Sequence, residues 1–220
     1  MIVNLIMNFK RMIISSSFFW RIRQYVQPKW INSYDKKLTY NYLLEFASSN
    51  QISSVLDFGC ATGNFLYDLK KKNSNTLCYG IDISSKLLKI CKNKFEELDL
   101  SKKTYSFHPS TDEKNINDFL IANRVTYFDL IVFDRVLYCL NESEINNQFS
   151  ILTNYAKFIL IDDFQLDKDL DIQGYKHRDW ISIMNTFNIE CEINIPTFNP
   201  QVDKANPRTL VFRNLALTKL

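Results

Sequence analysis

Two glycines four residues apart follow a short apolar run that carries an aspartate, in Val55-Leu56-Asp57-Phe58-Gly59-Cys60-Ala61-Thr62-Gly63. Glycine lacks a Cβ, so Gly59 and Gly63 allow the backbone to turn sharply and to approach a ligand closely. The spacing narrows the choice of ligand. A dinucleotide fingerprint begun at Gly59 needs glycine at Ala61 and Asn64, and a P-loop needs Gly-Lys-Ser/Thr; neither is present. A second carboxylate, Asp82, stands in Gly80-Ile81-Asp82-Ile83-Ser84. It can accept from both hydroxyls of a ribose, or cap the following helix in competition with Ser84. Farther along lie Asp112 in the turn Ser110-Thr111-Asp112, then Asp134, the pair Asp162-Asp163, and the histidines His108 and His177. Imidazole titrates near neutrality and suits proton transfer. A cluster of carboxylate oxygens suits a hard cation.

The elements that must position these groups are legible in the periodicity. Strands are expected at 54–58, 77–82, 104–108, 128–133 and 157–162, alternating with helices at 64–72, 84–97, 114–123, 142–155 and 179–187. Short runs rich in Val, Ile and Phe between amphipathic helices indicate parallel strands in a doubly wound sheet. Two final strands, 189–195 and 209–214, have no helix between them and should pair antiparallel as a hairpin. Before the first strand, 17–27 and 36–49 read as helices with aromatic faces. In such a sheet ligands sit beyond the carboxyl ends of the strands, where the strand order reverses. The chemistry-bearing residues fall at those ends.

The segment from Asp57 to Gly63 resembles motif I of the class I S-adenosylmethionine-dependent methyltransferases, an acidic residue followed by G-x-G-x-G, with Ala61 at the middle glycine. Gly80-Ile81-Asp82-Ile83-Ser84 is similar to the family's G-x-D/E-x-S, and Tyr127 to Asp134 resembles its motif IV. The resemblance covers about 55–214. It implies an α/β, Rossmann-like, mostly parallel seven-stranded sheet of order 3-2-1-4-5-7-6 with a C-terminal antiparallel hairpin. Residues 1–50 would form an N-terminal helical cap or lid on a methyltransferase domain at 51–220. The implied cofactor is S-adenosylmethionine, lined by Asp57, Gly59, Cys60, Ala61, Gly63, Asp82, Ile83 and Asp112. Asp57 and Gly59 would face its amino-acid end, Asp82 its ribose and Asp112 its adenine. The cofactor carries no phosphate, which agrees with a loop that lacks Lys and Arg.

Methyl transfer is an in-line displacement, so the protein aligns the reactants, excludes water and removes a proton from a hydroxyl nucleophile. His177, in the loop after strand five, is the candidate base, and Asp134 at the strand-four tip faces the transferring methyl. Asp134 with Asp162 and Asp163 opens an alternative, the Mg²⁺ site of catechol-type O-methyltransferases, although the Asn of that family's strand-five Asp-Asn pair is absent. No metal is assigned. Strand four is followed by Arg135-Val136-Leu137 and not by N/D-P-P-Y/F, and no Pro-Cys occurs, which disfavours exocyclic amino groups and cytosine C5. The acceptor is expected to be a small molecule or glycan-like hydroxyl compound.

Charge distribution bears on partners. Residues 1–37 hold seven basic side chains against Asp35, a net of +6, so the chain's +3 leaves −3 for residues 38–220. A body of that sign argues against an extended nucleic-acid interface. The basic, aromatic arm, with Phe18, Phe19, Trp20, Arg21, Arg23, Tyr25 and Trp30, fits an acceptor lid. Other readings are an anionic-membrane contact, or an inactive methyltransferase fold kept for interactions. Five cysteines without a C-x-x-C pair suit a reducing compartment, so a cytoplasmic protein is expected. MIVNLIMNF is a poor signal peptide and too short to span a bilayer, and Met7 and Met12 are alternative starts.

Overall fold

Strands buried on both faces organise this chain. In the computed structural model the described residues are 40–98, 105–109, 113–165, 177–197 and 207–217, with 113–115 described by backbone alone. The elements run α1 (Tyr40–Ser49), β1 (Ser54–Phe58), α2 (Asn64–Lys72), β2 (Leu77–Ile81), α3 (Ser85–Glu96) and β3 (Tyr105–His108). Then follow α4 (Glu113–Ala122), β4 (Phe128–Asp134), α5 (Glu142–Leu152), β5 (Ala156–Phe164), α6 (Trp180–Asn185), β6 (Glu190–Pro196) and β7 (Pro207–Arg213). Single 3₁₀ turns at Leu137–Cys139 and Thr153–Tyr155 flank α5.

The seven strands form one sheet in the order β3-β2-β1-β4-β5-β7-β6. The first five are parallel, β7 pairs antiparallel with β5, and β6 pairs antiparallel with β7. Chain direction along the sheet reverses between β1 and β4, which makes that boundary the switch point. Alternation sorts the core into two layers. Leu56, Phe58, Ile131, Phe133, Ile159 and Ile161 face α4, α5 and α6, where Phe119, Phe149, Trp180 and Met184 complete the packing. Val55, Leu130, Val132, Leu160 and Val211 face α1, α2 and α3, against Leu43, Leu44, Phe65, Leu66, Leu88 and Phe95.

Helix α1, the described part of the N-terminal segment, is built into this second layer, with the Phe46 ring edge-on to Phe158 at 5.4 Å. The expected helix at 17–27 and the basic arm lie outside the described residues, as does Asp112. The strand expected at 157–162 extends to Ala156–Phe164, and the helix expected at 142–155 finishes as a 3₁₀ turn after Leu152. At the amino edge of the sheet Asp129 accepts from the backbone N–H and hydroxyl of both Ser53 and Ser54 and pairs with Lys157 at 3.2 Å. That carboxylate therefore clamps β1 to β4, opposite the ligand edge.

Candidate cofactor and acceptor site

The loop between β1 and α2 is wound by three left-handed residues, Gly59 (φ 84°), Ala61 (φ 48°) and Gly63 (φ 68°). Two of them are glycine for reasons the structure makes concrete. A Cβ on Gly59 would stand 2.7 Å from Cγ2 of Val136, in the turn after β4, and one on Gly63 would run into Sγ of Cys91 on α3. Their small size thus serves close packing of neighbouring segments as well as the turn. Ala61 takes the left-handed conformation with a Cβ present, at a cost of roughly 1–2 kcal/mol.

The end of β2 holds the loop in place. The N–H groups of Gly59 and Cys60 donate to the Ile81 carbonyl at 2.7 and 3.0 Å, and the Gly63 N–H donates back to Cys60 O at 2.8 Å. Asp82 follows Ile81, and its Oδ2 accepts from the Ala61 N–H at 3.0 Å while Oδ1 accepts from the Ser84 N–H at 2.8 Å. Ser84 is the N-cap of α3, its side chain accepting from Leu87 N at 3.2 Å, so Asp82 does not fill the cap itself. Burial pushes the Asp82 carboxyl above its ordinary range, and the two N–H donors only partly offset this. A carboxylate offers about four acceptor sites. One backbone donor per oxygen leaves Asp82 with capacity for two further donors, which fits a ribose. Ile83 is half-buried beside it, and Asp57 is buried in β1 in register with Gly80. The Cys60 thiol is raised by its hydrogen bond with Cys91 and by burial, so it is a packing group and not a nucleophile.

On the other side of the switch point, β4 ends at Asp134, half-buried and in register with Asp162. The Mg²⁺ grouping that the sequence suggested does not assemble. Asp162 and Asp163, adjacent on β5, point to opposite faces. Asp162 accepts from Arg135 Nε at 2.9 Å and from the Thr209 and Thr197 hydroxyls at 2.9 and 3.2 Å. Asp163 accepts from the N–H of Tyr138 at 3.0 Å and of Phe164 at 2.8 Å. Both are fully buried. Among the described residues no group of three His, Cys, Asp or Glu side chains is placed to hold a metal ion. Burial raises Asp163 to about 7, against the pull of Arg135 and the two N–H donors. For Arg135 burial works against the charge, but Asp162, Asp163 and Asp134 outweigh it and raise the guanidinium.

His177 lies at the same edge, its ring stacked on Phe164 at 5.5 Å, and the Arg135 guanidinium lies 4.8 Å from the same phenyl centroid. The structure therefore gathers Asp57, Gly59, Cys60, Ala61, Gly63, Asp82 and Ile83 at the ends of β1 and β2. Asp134 and His177 stand at the ends of β4 and β5. Sequence reasoning missed Arg135, Val136 and Arg178. Arg135 and Val136 directly follow the strand-four tip, a position that could have signalled them; Arg178 had only its place beside His177. It also missed Tyr40, whose hydroxyl hydrogen-bonds Asp68 on α2.

Residues 49–202 match the family described as "Methyltransferase domain". The chain belongs to this family, within the class I S-adenosylmethionine-dependent methyltransferases, whose cofactor is S-adenosylmethionine. It is 28% identical over 148 residues to carboxy-S-adenosyl-L-methionine synthase 1 of Yersinia pseudotuberculosis, covering 55% of this chain and 57% of that protein. It is 34% identical over 86 residues to a tRNA (guanine-N(7)-)-methyltransferase of Prochlorococcus marinus, 39% of this chain and 41% of that one. The chain thus spans about half the length of the curated relatives it matches. Among solved structures, magnesium protoporphyrin IX methyltransferase from Synechocystis PCC 6803 with bound SAH superposes with a TM-score of 0.64 at 17% identity, over 94% of this chain and 99% of that one. The methyltransferase domain of bacterial CtHen1-C gives 0.61 at 16% identity, over 79% and 95%. At such identities these structures bear on the fold.

Proposed function

We propose that the protein transfers a methyl group from S-adenosylmethionine to a hydroxyl oxygen of a small-molecule or glycan-like acceptor, without a bound metal. The observation that carries the cofactor half is the Asp82 carboxylate, buried beside the motif I loop and hydrogen-bonded to Ala61 N–H, with acceptor capacity left over. When bound, the cofactor supplies a methyl group on a sulfonium that leaves readily. Asp82 holds the ribose hydroxyls, and the turn at Gly59, Cys60 and Ala61 takes the amino-acid end beside Asp57. Ile83 flanks the ribose. Asp134 faces the methyl from the strand-four tip. His177 removes the acceptor proton, held over Phe164 so that the imidazole is oriented before the acceptor arrives.

Support for a small acceptor comes from the negative body and from the aromatic surroundings of His177, which include Phe164 and the Tyr138 ring 5.3 Å from it. Among the described residues no helix is long and apolar enough to cross a membrane. Calorimetric titration with S-adenosylhomocysteine tests the reading. The expected result is a saturable heat and a raised melting temperature, by linkage to the native state. No heat with S-adenosylhomocysteine, alongside binding of NAD, would end it.

A further inference from the structure

The motif I loop is not held by β2 alone. Its Gly59 lies under Val136, the residue that enters the 3₁₀ turn Leu137–Cys139. This turn is fixed from the β5 side, where the Arg135 N–H donates to Asp162 O at 2.8 Å and the Tyr138 N–H to Asp163 Oδ2 at 3.0 Å. It is fixed from a third direction by Arg178, which is 5% exposed. One Arg178 terminal nitrogen donates to Leu137 O at 3.0 Å, the other to Leu140 O at 2.6 Å, and Nε to Glu142 Oε1 at 3.0 Å. The backbone of Arg178 is itself pinned, its N–H donating to Phe164 O at 3.3 Å in a parallel bridge with Gln165.

Arg178 is thus attached at one end to the segment that carries His177 and at the other to the two carbonyls bracketing the turn that leans on Gly59. We propose that Arg178 is a positioning residue that couples the acceptor side of the site to the cofactor loop, through the turn after β4 and Val136. The planar fork explains why arginine is needed. It reaches both carbonyls and the Glu142 carboxylate at once, whereas a lysine ammonium on a flexible stem cannot span them in that geometry. The carboxylate arm contributes least, because the Glu142 side chain is 71% exposed and its pairing is screened by water. The carbonyl arms contribute most, because they are the less exposed contacts: without them Leu137 O keeps only the Leu140 N–H at 3.1 Å and the part-buried Leu140 O loses the guanidinium. Without them the turn relaxes, Val136 withdraws from Gly59, and the loop that receives the cofactor loses its support on that side.

This coupling rests on the reading of 59–63 as the cofactor loop, and two measurements on the full chain keep the two apart. Hydrogen exchange without cofactor reports the coupling directly: in Arg178→Lys, amides of residues 57–66 should exchange at least tenfold faster while those of β6 and β7 keep their protection. Calorimetry with S-adenosylhomocysteine should then show about a tenfold loss of affinity in the same variant. Normal exchange at 57–66 and normal affinity in a folded Arg178→Lys would overturn the coupling. Faster exchange in a protein whose wild type takes up no S-adenosylhomocysteine would retain the coupling and overturn the cofactor reading. If Arg178→Lys does not fold, Val136→Ala breaks the same chain one link later. It should raise exchange at 57–66, and unchanged exchange there would overturn the proposal.

Discussion

The backbone N–H of Ala61 donates to Oδ2 of Asp82 at 3.0 Å, joining the loop after β1 to the end of β2. A single carboxylate therefore shapes this loop, and in the proposed function its remaining acceptor sites receive the ribose hydroxyls. The same hydrogen bond is made by an alanine in the left-handed conformation, at φ 48°.

Asp82→Ala should weaken S-adenosylhomocysteine binding by about 1.5–3 kcal/mol, the range for hydrogen bonds to a charged group. Because the Ala61 N–H also loses its acceptor, thermal stability should fall modestly in the same variant. Titration calorimetry beside a melting curve separates the two effects. An unchanged affinity would reduce Asp82 to a loop-shaping residue.

Gly63→Ala should destabilise the protein by more than an ordinary surface substitution, because the added Cβ meets Cys91 Sγ and the residue sits at φ 68°. Cys91→Ala in the same chain removes the steric part only. Denaturant unfolding should show the double variant recovering part of the loss, a non-additivity that marks direct contact. Purely additive losses would mean that the backbone conformation alone requires glycine at 63.

Much of the fold is legible in the sequence. Both residues are buried in Leu56/Val55, Ile131/Leu130 and Ile159/Leu160, one facing each core layer, and such continuous apolar runs read as parallel strands because both faces are covered. The two-glycine loop and Asp82 stood at the right strand ends for the same reason. What the sequence concealed were relations between distant segments. That Gly59 packs under Val136, or that Arg178 reaches Leu137 O and Leu140 O, follows from tertiary packing that no local pattern encodes. The suggested carboxylate triad does not assemble because the two strand-five aspartates are engaged apart, Asp162 with Arg135, Thr197 and Thr209 and Asp163 with the N–H groups of Tyr138 and Phe164, pairings between distant segments that no local pattern encodes.

The Asp163 carboxyl should make stability depend on pH. In the unfolded chain it ionises near 3.9, whereas burial holds it to about 7 in the fold. Between those values the folded protein keeps a proton that the unfolded chain has released. Its contribution is therefore complete below about pH 4 and is lost as pH rises through about 7. Asp163→Asn cannot titrate, so its denaturation midpoint should decline less between pH 5 and pH 8 than that of the wild type. The variant carries its own cost, since an amide nitrogen would face one of the N–H groups of Tyr138 and Phe164. The slope, not the absolute midpoint, is the test, and parallel slopes would contradict the assignment.

The last expectation separates three ways of handling the acceptor proton. If His177 is the general base for a hydroxyl acceptor, His177→Ala should lower methyl transfer by about 10²–10⁴ and leave S-adenosylhomocysteine affinity nearly unchanged, since the imidazole acts on the acceptor and not on the sulfonium. EDTA should then have no effect, in keeping with the opposed directions of Asp162 and Asp163. If chelation instead abolished activity and Mg²⁺ restored it, a cation would be lowering the acceptor's pKa, and the ligands would have to include groups other than these two aspartates. If neither perturbation mattered, alignment alone would suffice, and the acceptor would be one already nucleophilic at neutral pH, such as a carboxylate or a phenolate. Release of S-adenosylhomocysteine, followed for wild type and His177→Ala with and without EDTA, distinguishes the three. The third outcome would overturn hydroxyl chemistry while leaving the roles of Asp82 and the motif I loop intact.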